Sequence, residues 1–375
     1  MEDHAPRNNG CCDKIGASEM KSLFVVAIAA ILLTLSCKDH GTEPSGTIFE
    51  YENTTMVVAY EVNGMGDIYL FYPLTNTKIN ITENVVDTMY YAHLSSFSED
   101  GHELLYTLDY IKSGKEDLLL CDRDDIFSYN LLTGKTRRLT NTEYVEINPR
   151  FSKDGTKIVY QTRENGNYDI ATMNSDGSGK KVIVFNPGYE WNPTFIMNDS
   201  KILYASIRSS NSEFYTCNVD GSGEVPLTNS VWRVDVPSVS SDNTFFIFSA
   251  MRSGSGADAD LGMFRYDLIT TAVKPITQSM SGVNRNYSPI VSPDSKKIVY
   301  KYFSGSWIYI RLADIDGKNE VDLGKGTDAD FTKNSKFVVY HNNSGLSMYD
   351  IEKKTNDVIL PNIASGYNIE VSRIK

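Results

Sequence analysis

An all-β fold, a β-propeller of four-stranded antiparallel blades, is what this sequence predicts, and three observations carry the prediction. A hairpin-forming frame recurs along most of the chain. Asp-Gly and Asn-Ser pairs punctuate that frame at corresponding places. No stretch beyond the amino-terminal apolar run shows a helical period.

The frame is clearest in Phe97-Ser98-Glu99-Asp100-Gly101 leading to Tyr106, and in Phe151-Ser152-Lys153-Asp154-Gly155 leading to Tyr160 through Lys157-Ile158-Val159. It returns from Phe195 to Tyr204 around Asn198-Asp199-Ser200, and from Val239 to Phe248 around Asp242-Asn243. Two more copies run from Val291 to Tyr300 around Pro293-Asp294-Ser295 and from Phe331 to Tyr340 around Asn334-Ser335. In each copy the second aromatic lies nine positions after the first apolar residue. A degenerate copy fits Tyr51 to Tyr60, with Thr54-Thr55 in place of the turn pair, and successive copies are 46, 54, 44, 44, 52 and 40 residues apart.

Each copy reads as a short apolar strand, a turn tolerant of positive φ, and a β-branched and aromatic strand, which together make a hairpin. A third strand follows in Asp67-Ile68-Tyr69-Leu70, Asp125-Ile126-Phe127, Asp169-Ile170, Phe214-Tyr215 and Trp307-Ile308-Tyr309. A second turn comes next, as in Asp176-Gly177 or Asp220-Gly221, then a fourth strand ending in Ile81-Thr82, Leu139-Thr140, Leu227-Thr228 or Ile276-Thr277. Units of about 40 to 45 residues with four strands stack as propeller blades, which shields edges that a lone sheet would expose. Seven blades are counted, with six and eight left open, and Ile369-Glu370-Val371-Ser372-Arg373-Ile374 is expected to close the ring by pairing with the first blade.

The Phe-Ser-x-Asp-Gly…Ile-Val-Tyr frame resembles the WD40-like (PD40) repeats of the TolB propeller family, over nearly all of residues 48–375. The resemblance implies the fold. TolB carries a further α/β domain before its propeller, whereas here a short stretch separates Cys37 from the first blade, so a TolB-like role in an envelope complex is not implied.

The amino terminus reads as an address. Lys21 precedes the apolar run from Leu23 to Leu33, too short for the ~20 apolar residues of a comfortable helical span. Ser36-Cys37 follows with an abrupt polar switch, so residues 1–37 are expected to be a signal peptide ending in a lipobox, with Cys37 lipidated. Thr34 and Leu35 depart from the usual lipobox residues, and Met20 marks an alternative start that would leave out Cys11 and Cys12. Lys38-Asp39 leaves the periplasmic and the cell-surface side of an outer membrane both open, and residues 38–47 read as a flexible tether to a propeller over 48–375.

Composition narrows the function classes. The chain has 41% hydrophobic residues with 23 Tyr and 16 Phe, enough for a large core. A net charge of -12 and no Lys/Arg run argue against nucleic acid, and contact with membrane is expected through the lipid alone. After Cys37 only Cys121 and Cys217 remain, with their pairing open.

A ligand face is expected where the loops between blades meet the hairpins joining strands two and three. Those loops supply Tyr91 and His93, then Tyr144, Glu146 and Arg150, then Tyr189 and Trp191, then Trp232 and Arg233, and finally Arg285 and Tyr287. Recurrent rings on one rim suit stacking on peptide or sugar, and they equally suit packing between blades. Acidic loops at Asp122 to Asp125, Asp258 with Asp260, and Asp314-Ile315-Asp316-Gly317 could ligate Ca²⁺, although none has EF-hand spacing and the last sits where the repeat places a turn. No other cofactor is expected.

No G-x-S-x-G occurs, and the histidines after Cys37 are only His40, His93, His102 and His341. The leading expectation is a non-catalytic binder of an envelope or extracellular protein or glycan. The alternative is a metal-assisted carbohydrate-active enzyme, lyase-like, on the same scaffold.

Overall fold

A computed structural model of the chain describes residues 56–62, 66–83, 90–110, 123–208, 211–228, 232–252, 261–277, 285–363 and 368–372. Its strands lie in one compact unit, Tyr51–Leu131 with Lys135–Lys375. Among the described residues every regular element is a β-strand, so no helix there is long and apolar enough to cross a membrane.

The strands run in chain order. β1 (Val58–Val62), β2 (Asp67–Tyr72) and β3 (Thr77–Asn80) begin the first sheet. β4 (Tyr90–Phe97), β5 (Glu103–Tyr110), β6 (Asp124–Asn130) and β7 (Lys135–Arg138) form the second. The third holds β8 (Glu146–Phe151), β9 (Lys157–Thr162), β10 (Asp169–Asn174) and β11 (Lys181–Val184). β12 (Tyr189–Ile196), β13 (Lys201–Ile207), β14 (Ser212–Asn218) and β15 (Val225–Pro226) make the fourth. β16 (Trp232–Val239), β17 (Phe245–Arg252), β18 (Leu261–Asp267) and β19 (Val273–Pro275) make the fifth. A seven-stranded sheet follows, of β20 (Arg285–Val291), β21 (Lys297–Ser304), β22 (Trp307–Asp314), β23 (Val321–Phe331), β24 (Phe337–Asn342), β25 (Gly345–Asp350) and β26 (Thr355–Pro361).

The long sheet is two blades joined by one strand. Val321 to Lys325 of β23 pair with β22, and Gly326 to Phe331 pair with β24, so β23 ends one four-stranded unit and begins the next. The last strand, β27 (Ile369–Val371), returns to the first sheet and pairs antiparallel with β1, as expected of the closing strand. With β23 counted in both of its units, the strands among the described residues make seven sets of four.

The frame read from sequence maps onto these units. The second aromatic of each copy is buried: Tyr60, Tyr106, Tyr204, Phe248, Tyr300 and Tyr340 are among the core, with Tyr160 beside them. The apolar residues cluster between sheets, as where Leu105 and Ile126 meet Ile158, Tyr160 and Ala171. At the turn, the Ser152 hydroxyl donates to Asp154 Oδ1 at 2.6 Å and accepts the Lys157 N–H at 2.9 Å, and the same arrangement recurs at Ser98, Ser240 and Ser292. Bonds from Ser152 and Thr156 hold the Asp154 carboxyl below its usual range. The Thr that follows the fourth strand in four of the units is explained too. Thr82, Thr140, Thr228 and Thr277 accept the N–H of Ile68, Ile126, Phe214 and Met263 at 3.1, 2.8, 2.9 and 3.0 Å, satisfying a donor that the shorter fourth strand leaves unpaired.

The Asp314–Gly317 segment forms the turn after β22, with Asp314 bound to Lys297 Nζ at 2.7 Å and Asp316 to Lys318 Nζ at 2.7 Å. Residues 1–55, including Cys37 and the tether, lie outside the described residues, as do Cys121, Asp122, Asp258 and Asp260. Cys217 is buried against Val159, Ile170 and Tyr204, and burial pushes its thiol up to about 12.

Candidate ligand face and axial cavity

The first strand of each unit is an edge that faces the middle of the molecule, and its irregularities shape the site. β4, β8, β12, β16, β20 and β23 each carry a register shift in the pairing with the next strand. Pro149, Pro193, Pro237 and Pro289 sit at four of these bulges, each two residues before the apolar residue that opens the frame. Proline lacks an N–H, so it is tolerated on an edge at a bulge where no ladder bond is due. Asn148, Asn192 and Ser288 precede three of these prolines at φ of 52°, 51° and 49°, which turns their side chains within the bulge.

The seven inner strands, β27 included, line one cavity of about 490 Å³. Its wall from the sixth unit round to the third carries charge, and apart from Glu99, exposed in the turn after β4, the charges named next are paired within the protein. Lys301 Nζ lies 2.7 Å from Asp328 Oδ1, while Asp328 Oδ2 accepts the Ile369 N–H at 2.8 Å. Asp330 accepts the N–H groups of Phe331 and Val371 at 2.7 and 2.9 Å. Arg150 donates from Nη1 to the Ser95 carbonyl at 2.7 Å and stands 3.7 Å from Glu370. From the first unit, Glu61 Oε1 accepts from the Leu94 N–H at 2.5 Å and from Asn368 Nδ2 at 2.8 Å. These carboxylates clasp β27, a strand of three residues, between its neighbours.

Of the face residues expected from sequence whose side chains are described, Arg150 alone lines the cavity. The others lie toward the entry ends of the inner strands and divide into exposed and packed groups. His93 is exposed on β4 with Tyr91 half-buried two residues before it. Gly66 fixes that strand end: at φ 64°, a Cβ there would stand 2.6 Å from Tyr91 Cα, and its carbonyl accepts the Ala92 N–H at 2.8 Å. Tyr144 and Tyr189 are exposed at 42% and 54%. Trp191 packs against the core around Leu203 and Phe214, and Tyr287 packs on Phe303 with ring centroids 5.7 Å apart. Trp232 and Arg233 open β16 and Arg285 opens β20, and their side chains lie outside the described ones.

Glu146 and Glu190 occupy equivalent places, five residues before Phe151 and Phe195, and both are buried. Burial pushes the Glu190 carboxyl up to about 7, against the pull of the Ser206 hydroxyl, which donates to Oε1 at 2.9 Å, and of Arg208. Burial likewise pushes Glu146 up. Asp124 stands opposite Asp109 in the ladder, and burial, Asp109 and Asp125 together push it up to about 8. His341 is buried with Thr327 Oγ1 3.1 Å from Nδ1, and burial lowers its pKa. Among the described residues no three His, Cys, Asp or Glu side chains gather as ligands to a metal.

Two exposed residues that the sequence reading did not single out complete the face. Phe185 follows β11 in the loop toward β12 and is 66% exposed, and Ile207, 40% exposed, pairs directly with Tyr189 across β12 and β13. Gly188 allows this approach, since a Cβ there would lie 2.1 Å from the Ile207 carbonyl oxygen. Phe185, Tyr189 and Ile207 thus present apolar surface on one rim, with Tyr144 in the preceding inter-blade loop. Exposure at or just beyond a strand end is not visible in a pattern of apolar residues, so nothing in the sequence marks Phe185 or Ile207 as surface.

A family model described as the TolB beta propeller domain, PD40, matches residues 119–338. The chain belongs to this family. No curated protein matches it in sequence. Among solved structures, the putative TolB of Agrobacterium tumefaciens aligns at 20% identity and TM-score 0.51, covering 73% of this chain and 92% of that one. TolB of Acinetobacter baumannii aligns at 17% and 0.51, covering 85% and 83%. An oligogalacturonate lyase in complex with manganese aligns at 12% and 0.58, covering 82% and 85%. At these identities the likeness is one of fold, shared by TolB proteins and by a lyase.

Proposed function

We propose that this PD40 propeller is a non-catalytic, lipid-anchored module of the cell envelope that docks a protein partner on the rim holding Phe185, Tyr189 and Ile207. The observation that carries the reading is that Tyr189 and Ile207 are exposed side by side on paired strands, with Phe185 exposed in the loop that leads into Tyr189. Contiguous exposed apolar surface on an ordered scaffold is the usual ground of a protein interface, and aromatic anchors dominate the energy of such interfaces. Tyr144 extends the rim and His93 adds a polar contact. Cys37 supplies the anchor, since two or more acyl chains hold a protein stably at a membrane where one is marginal.

The test is site-specific photo-crosslinking in envelopes of the source cell, with a photoreactive phenylalanine at Tyr189 and, as a control, at Leu74, which is exposed at 54% in the turn after β2. A discrete protein adduct from position 189 that is lost in Phe185→Ala and absent from position 74 supports the reading. Adducts of equal pattern from both positions, or metal-dependent sugar turnover abolished by His93→Ala with His341→Ala, would overturn it.

A further inference from the structure

The axial cavity has a second wall unlike the charged one. On β12, β16 and β20 it presents Asn192, Thr194, Ser238 and Ser288, interleaved with Val236 and Ile290. The Asn192 amide and the hydroxyls of Thr194 and Ser288 have no hydrogen-bond partner among the described residues, whereas Ser238 Oγ accepts the Val291 N–H at 3.0 Å. The prolines of the three bulges remove backbone donors from the same wall, so its hydrogen-bonding capacity toward the cavity rests on side-chain hydroxyls and an amide.

Apart from Glu99, which is exposed in the turn after β4, charge on the opposite wall is spent internally. Lys301 is closed on Asp328, both Asp330 oxygens accept backbone N–H groups, and Arg150 lies between the Ser95 carbonyl and Glu370. An ionic ligand would have to break one of these pairings and leave a half-buried charge without its partner, which is costly. A neutral ligand meets unused hydroxyls and an amide on one side and aliphatic side chains between them. That alternation of donors, acceptors and C–H surface is the chemistry of a pyranose ring, whose edge carries hydroxyls and whose faces are apolar. A volume of about 490 Å³ also falls within the range of ordinary small-molecule sites, roughly 300–1,000 Å³.

We propose that the axial cavity is a binding site for a neutral saccharide of one or two rings, held by Asn192, Thr194 and Ser288. The site is separate from the apolar rim and does not rest on it.

The experiment is calorimetric titration of the detergent-solubilised full chain with maltose, cellobiose and lactose, and with digalacturonate as the charged counterpart. The expected result is saturable binding of at least one neutral disaccharide, with digalacturonate at least about tenfold weaker. Thr194→Val removes one hydroxyl at constant shape, and Asn192→Gly removes the amide while keeping the left-handed backbone. Each weakens binding about five- to tenfold, the loss of one hydrogen bond, with the melting temperature of each variant measured alongside. Tyr189→Ala leaves the sugar affinity unchanged. The proposal is overturned if no neutral disaccharide binds at concentrations up to about 10 mM. Digalacturonate binding as tightly as the neutral sugars, or affinity indifferent to both cavity variants, overturns it too.

Discussion

Replacing Asp330 by Ala removes the acceptor for two backbone N–H groups at once, those of Phe331 at 2.7 Å and of Val371 at 2.9 Å. The second bond matters more, because it joins the seventh unit to the three-residue strand that completes the first sheet. Val371 is buried, so its N–H loses its protein acceptor once the carboxylate is gone. A hydrogen bond to a charged group contributes roughly 1.5–3 kcal/mol, and orphaning the buried donor sets the loss near the upper end, about 3 kcal/mol. Against a domain stability of roughly 5–15 kcal/mol that is a large fraction. Equilibrium urea unfolding followed by tryptophan fluorescence measures it. Asp330→Asn, which keeps one acceptor oxygen, should lose about half as much. Limited proteolysis should cut near residue 368 faster in the Ala variant than in the parent. If Asp330→Ala unfolds within about 0.5 kcal/mol of the parent with unchanged cleavage, the side-chain clasp does not hold β27 and the reasoning fails.

Three more outcomes are expected. Glu190 has a folded-state pKa raised from 4.5 to about 7, so folding binds a proton and stability is fully present below the unfolded value and declines as pH rises from about 4.5 to 7; the integrated loss is about 3 kcal/mol, Glu190→Gln should lessen the fall of the melting temperature between pH 5 and about 8, the remaining fall belonging to other raised carboxyls such as Asp124 and Glu146, and a variant curve as steep as the parent's would contradict the assignment. Thr140→Val leaves the Ile126 N–H, 2.8 Å from the hydroxyl, without an acceptor and should cost about 1–2 kcal/mol in thermal melting, while Thr75→Val in an exposed turn should cost under about 0.5 kcal/mol. Cys37→Ser should move the protein from the membrane to the soluble fraction with the propeller's melting unchanged, and membrane retention of that variant would sink the lipid anchor.

The sequence exposed the scaffold more fully than the site. Ser152-Lys153-Asp154-Gly155 is legible because one hydroxyl and one carboxylate close the same turn in four units, at Ser98, Ser152, Ser240 and Ser292, and the endings at Thr82, Thr140, Thr228 and Thr277 are legible because in each a threonine hydroxyl serves the corresponding N–H. The junction at β23 was not, since Val321 to Phe331 carries no turn pair to mark where one blade ends and the next begins. The inner-strand bulges leave a trace that apolar spacing misses, namely the proline two residues before Phe151, Phe195, Val239 and Val291. Among the rim aromatics, alternation cannot separate Tyr189, which ends up exposed, from Trp191, which packs against Phe214, because both lie on one strand two residues apart. Which one is covered depends on the neighbouring blade.

The return of β27 to β1 sets a timetable for biogenesis. Translation releases the outer three strands of the first sheet long before the strand that completes it, so a nascent or truncated chain holds an open seam until residues Ile369–Val371 emerge. Circularisation, not elongation, is then the committed event, and nonsense mutations near residue 368 should be as damaging as those in the middle of the gene.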